Sequence, residues 1–126
     1  MTPVHAVPPY RDQAAHYLDN ALRFIQLGEA AKAGEFLWGS IAEAFKALAA
    51  EKGFLIRTHG DLWKYAREVS RELGDQSLYD AFAIASGLHQ NFYESERSVE
   101  DIAASAAPIE VAVKKILGLL PAHAVS

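Results

Sequence analysis

The chain has 126 residues, of which 51% are apolar, with no cysteine and a formal net charge of −4. One domain is the default at this length, and the apolar content excludes the weakly hydrophobic class of chains that stays disordered. Absence of cysteine excludes disulfide scaffolds and thiolate zinc or iron–sulfur sites, and an acidic balance argues against broad coating of nucleic acid, which depends on Lys and Arg neutralising phosphates.

Residues 1–9 contain three prolines and no periodicity and read as a loose arm. They carry neither a basic start nor an apolar run, so they do not read as a secretory signal. Charges interrupt every long apolar stretch, so no membrane span is expected and the protein reads as soluble and cytoplasmic. A first helix is expected from Tyr10 to Leu27, with Ala14, Leu18, Ala21 and Ile25 on one face and Gly28 as its stop.

A second helix follows from Glu29, in its first turn, to about Lys52. Ala30, Ala33, Leu37, Ile41, Ala44 and Leu48 form its stripe, flanked by Phe36 and Phe45. Gly34 and Gly39 each cost about 1 kcal/mol against alanine inside a helix, so their presence among many alanines predicts the close passage of another helix. Phe54–Arg57 is a short connection. Thr58 and Asp61 have the capping-box spacing, opening a third helix over His59–Leu73. Leu62, Ala66, Val69 and Leu73 are its inner face, Lys64 and Glu68 an outer pair, and Gly74 its cap.

Asp75 is a good N-cap for a fourth helix running to about Glu96. Two stripes run along it, Leu78, Ala81, Ala85, Leu88 and Phe92 beside Tyr79, Phe82, Ser86, His89 and Tyr93. A helix apolar over so much of its girth belongs between neighbours. Ser98 and Asp101 form another capping box. The fifth helix carries Ile102, Ala106, Ile109, Val113, Ile116 and Leu120, with Pro108 expected to kink or split it near Ala104–Ala107. Residues 121–126 read as a frayed tail. The expected fold is thus all-α, an antiparallel bundle of about five helices over residues 10–120.

Three segments carry a family likeness: Gly34–Ala49 (GEFLWGSIAEAFKALA), Thr58–Trp63 (THGDLW) and Ala85–Glu94 (ASGLHQNFYE). Together they resemble the archaeal PaREP family, small helical proteins similar in fold to the HEPN group of bundles. The resemblance implies a HEPN-like homodimer. It further implies a nucleotide-binding or non-catalytic interaction module or, alternatively, a toxin-like ribonuclease with an antitoxin-like protein partner. HEPN ribonucleases use an Arg and a His separated by four to six residues, late in the bundle. The single pair here with that spacing is Arg11 with His16, in the first helix, and no arginine stands five to seven residues before His89. The sequence therefore leans away from an enzyme.

Several constellations remain. His89 and Tyr93, one turn apart with Asn91 nearby, form either a polar pocket with His89 as acid, base or ligand-holder, or a hydrogen-bonded closure of the bundle. Residues 57–71 carry four cations (Arg57, Lys64, Arg67, Arg71) against two anions (Asp61, Glu68), with His59, Trp63 and Tyr65 among them. Beside the amides of a helix N-terminus this suits a nucleotide or phosphate ligand, or simply a solvated helix face with Trp63 in the core. Glu35, Trp38, Glu43 and Lys46 lie on the second helix, where Trp38 between two glycines fits a core or a dimer seam. No Glu-x-x-His pair, Gly-rich phosphate loop, nucleophile elbow or His-Glu-x-x-His motif occurs, so neither metal nor cofactor is expected.

Overall fold

Local signals start and stop the helices, and the apolar stripes gather them around one core. The computed structural model describes the backbone of residues 7–94 and 98–121 and the side chains of 9–89 and 98–121. Five helices make up the all-α bundle: α1 (Val7–Gln26), α2 (Ala30–Glu51), α3 (His59–Leu73), α4 (Gln76–Glu94) and α5 (Val99–Gly118). None of them is long and apolar enough to cross a membrane among the described residues.

The boundaries follow the caps. At α3 the Thr58 hydroxyl accepts the Asp61 N–H at 3.0 Å while the Asp61 carboxylate accepts the Thr58 N–H at 3.2 Å, satisfying orphan donors at both ends of the box. Gly74 ends α3 with φ +63°, a left-handed conformation that a Cβ would disfavour. The Ser98 hydroxyl likewise accepts the Asp101 N–H at the start of α5.

Four expectations need correction. α1 starts at Val7, not Tyr10, and takes in Pro8 and Pro9. A first turn has no use for those amide hydrogens, so proline costs nothing there. α5 is not split: it runs unbroken through Pro108. Ala104, whose carbonyl loses its amide partner, and Pro108 are both solvent-exposed, while Ala106 and Ile109 are anchored in the core. Leu73, expected on the inner face of α3, is 41% exposed, and Lys64 and Glu68 do not form one of the ion pairs.

α2 is the central helix and packs against all four others. Its two glycines mark the closest approaches. A Cβ on Gly39 would meet the Tyr17 ring of α1 at 3.0 Å, and one on Gly34 would meet Leu88 of α4 at 3.4 Å and Ile102 of α5 at 3.6 Å. The buried Ser40 hydroxyl donates to the Ala14 carbonyl at 2.7 Å, pinning α1 to α2. Phe45 and Phe82 fill the middle edge-to-face, 5.6 Å apart.

α1 and α4 run antiparallel to α2, but α3 runs parallel to it. Trp38 meets His59 at the start of α3, while Leu48 and Lys52 share a cleft with Tyr65, Val69 and Leu73. The chain must therefore travel back along α2 before α3 begins. The thirteen positions from Trp38 to Glu51 rise about 20 Å along a helix. The seven residues 52–58, outside any helix, can span roughly 23 Å when extended. That return segment lays Phe54 and Leu55 over the surface.

Candidate functional site

The closeness of α2 and α4 at Gly34 and Leu88 sets the position of the next residue on each helix. Glu35 and His89 meet there: His89 Nδ1 lies 2.9 and 3.0 Å from the two Glu35 carboxylate oxygens. The carboxylate accepts, so Nδ1 carries the proton, and the ring is held in one orientation. Three residues on from Glu35, Trp38 stacks on the His89 ring at 5.4 Å and 24°. His59, the first residue of α3, meets Trp38 edge-on at 5.4 Å and the His89 ring at 6.2 Å. Trp38 is 7% exposed and rests on Phe82 at 5.2 Å. The side chains of His89 and Glu35 are 29% and 37% exposed, and His59 is exposed. The result is a carboxylate-oriented imidazole and a second imidazole, both against one indole whose far side is core.

Of the residues the sequence marks for ligand binding, the fold thus brings His59 and His89 together. Trp63 packs elsewhere, half-buried, with its ring 4.7 Å from Phe82 and 5.7 Å from Tyr79. Arg57 and Lys64 are exposed on either side of the α3 start. The Asp61 carboxylate accepts the Arg57 and Thr58 N–H groups, which hold its pKa below the usual carboxylate value; the nearby Lys64 charge acts in the same direction. The α3 N-terminus therefore already holds a carboxylate of its own. The side chains of Asn91 and Tyr93 lie outside the described residues. Tyr65 faces the core rather than the basic run, and Arg67 lies over the Tyr79 ring at 5.3 Å and donates to its hydroxyl at 3.1 Å. The Arg11 guanidinium donates to the Pro121 carbonyl at 2.8 Å, while His16 is exposed beside Tyr17. Glu43 and Lys46 pair at 3.3 Å. No group of three or more metal-ligating side chains occurs among the described residues.

A second region went unread in the sequence. At the end of the bundle where α2 stops, a cleft of about 210 Å³ is lined by Tyr10, Lys46, Ala49, Phe54, Leu55 and Ile56. A smaller one, about 110 Å³, lies between Leu48, Lys52, Tyr65, Glu72, Leu73 and Leu119. The Phe54–Tyr65 ring contact at 5.2 Å joins the two. Leu55 is 64% exposed, and Phe54, Leu73 and Leu119 are exposed with it. Burial pushes the Tyr65 hydroxyl up to about 12, reinforced by the Glu72 and Glu68 carboxylates. The sequence signal was available: two large apolar residues in a connection have no helix face to bury them.

The model of the archaeal PaREP1/PaREP8 family matches residues 9–113. No curated protein and no solved structure matches the chain.

Proposed function

The chain belongs to the archaeal PaREP1/PaREP8 family, and from that premise we propose that it is a non-catalytic, HEPN-like interaction module that works as a homodimer, docking through the apolar end of the bundle. The observation that carries this reading is the gathering of Phe54, Leu55, Leu73 and Leu119 around two joined clefts. Contiguous exposed apolar surface on a soluble domain marks a place where a protein docks. The small residues of α2 have a different use, since Gly34 and Gly39 admit neighbouring helices of the same chain.

Native mass spectrometry tests the proposal with wild type and Leu55→Glu. Leu55 is mostly exposed, so the change leaves the fold intact. The expected result is an assembly for wild type and a single chain for the variant. Assembly that persists in Leu55→Glu overturns the apolar end as the docking surface.

A nucleotide or phosphate ligand is a second reading, favoured by exposed His59 between Arg57 and Lys64 and against Trp38. Millimolar adenosine monophosphate or inorganic phosphate should then shift the His59 and His89 imidazole NMR signals. Unmoved signals overturn it. An RNA- or nucleotide-acting enzyme would draw on the same histidines, with Glu35 orienting His89. RNA cleavage that disappears in His89→Gln would establish that reading over the non-catalytic one.

A further inference from the structure

The larger cleft, about 210 Å³, lies between the start of α1, the end of α2 and the return segment. Its room comes from small residues: Ala49, Ala50 and Gly53 line it from α2, under Phe54 and Leu55. It falls short of the roughly 300–1,000 Å³ of drug-sized ligand sites, so it suits a compact molecule rather than a nucleotide. The backbone carbonyls at the end of α2 are already satisfied. That of Ala49 accepts the Lys52 and Phe54 N–H groups at 3.1 and 2.7 Å, and that of Ala50 accepts the Gly53 N–H at 3.1 Å.

Two polar side chains remain on the lining, Tyr10 and Lys46. Among the described residues the Tyr10 hydroxyl makes no hydrogen bond. The Lys46 ammonium meets one Glu43 oxygen at 3.3 Å, which occupies one of its three donors. Apolar walls with two available donors select an apolar body that ends in an acceptor. The ammonium favours an anionic acceptor, since a charge-assisted hydrogen bond is about twice as strong as a neutral one. An amine would face its like charge.

We propose that this cleft binds a small carboxylic acid with an apolar body, its carboxylate on Lys46 and Tyr10 and its body against Ala49, Ala50 and Phe54. Glu43 competes for the same ammonium and so holds the affinity down. The inference goes beyond the docking reading and does not depend on it, because calorimetry reads the ligand and native mass spectrometry reads the assembly.

Isothermal titration calorimetry with phenylacetate tests the proposal, with circular dichroism to confirm that each variant folds. Wild type should bind phenylacetate at least ~10-fold more tightly than the uncharged phenylacetamide, on the scale of one charge-assisted hydrogen bond. Acetate, which lacks the body, should not bind. Lys46→Met should bring phenylacetate down to the level of the amide and leave the amide unchanged. Glu43→Gln, which frees the ammonium, should tighten phenylacetate alone. Ala50→Leu, which fills the cleft from a half-buried position, should abolish both.

This charge-specific pattern supports the proposal. No heat with phenylacetate at millimolar concentration overturns it, as does equal binding of acid and amide by wild type. Phenethylamine binding more tightly than phenylacetate reverses the sign of the site and overturns it too. Phenylacetate binding that survives Ala50→Leu places the ligand outside this cleft. Each of these outcomes leaves the docking reading standing, whereas assembly that persists in Leu55→Glu removes the docking reading and leaves the ligand site untouched.

Discussion

The histidine cluster and the apolar end occupy opposite halves of α2; Trp38 and Leu48, ten positions apart, are separated by about 15 Å of helix rise. In the first, polar groups are brought inward and held: Glu35 grips His89, and Trp38 backs both imidazoles against Phe82. In the second, apolar groups are pushed outward because the 52–58 segment must run back over the surface. One half has its polar groups paired within the chain, and the other leaves Phe54, Leu55, Leu73 and Leu119 partly exposed. A half-buried polar cluster therefore contributes to stability whatever else it does, whereas an exposed apolar ridge contributes little to stability.

The contrast can be broken most sharply at Phe82. It is fully buried between Phe45, Trp38 and Trp63. Phe82→Ala should cost about 3–5 kcal/mol in urea unfolding, while Leu55→Glu stays within about 0.5 kcal/mol of wild type. A comparable loss from both would mean that the apolar end is part of the core. Next in size is Glu35→Gln, which keeps an acceptor near His89 Nδ1 but removes the charge. For a pair this exposed the expected loss is about 0.5–1 kcal/mol. A gain in stability would instead mark the pair as one held for binding at the expense of folding.

Smaller effects sharpen the other half. Among the described residues the Ser70 hydroxyl, buried on α3, finds no hydrogen-bond partner. Ser70→Ala should therefore be neutral or raise stability by up to about 1 kcal/mol, and a loss in thermal melts would show that the hydroxyl is satisfied. Asp75, in the connection from α3 to α4, pairs with Lys115 of α5. Hydrogen bonds from Lys115 and then Ser77 hold its pKa at about 2, against an ordinary 3.8. Because the folded-state value is lowered, this contribution is complete above pH ~4 and disappears as the pH falls toward ~2. Lys115→Met should flatten that part of the acid-stability profile, and an unchanged profile would remove Asp75 from the account.

What the sequence determined by itself was the helical order and most of the core. The stripe from Ile102 to Leu120 is buried throughout, as are Ala33, Leu37, Ile41, Ala44 and Leu48, because period and burial are the same information in a helix. Caps at Thr58 and Gly74 were legible because they are made by neighbours in the chain. Gly34 and Gly39 announced close neighbours, though not which ones. His59 and His89 stood out singly, but nothing in their spacing placed them against one indole, since that meeting depends on how α2, α3 and α4 pack. The parallel course of α3 beside α2 is likewise tertiary: seven residues permit either a tight reversal or an extended return, and burial of Leu62, Ala66 and Val69 against the rest of the core selects the return. The exposed ridge at Phe54 and Leu55 is the consequence of that choice.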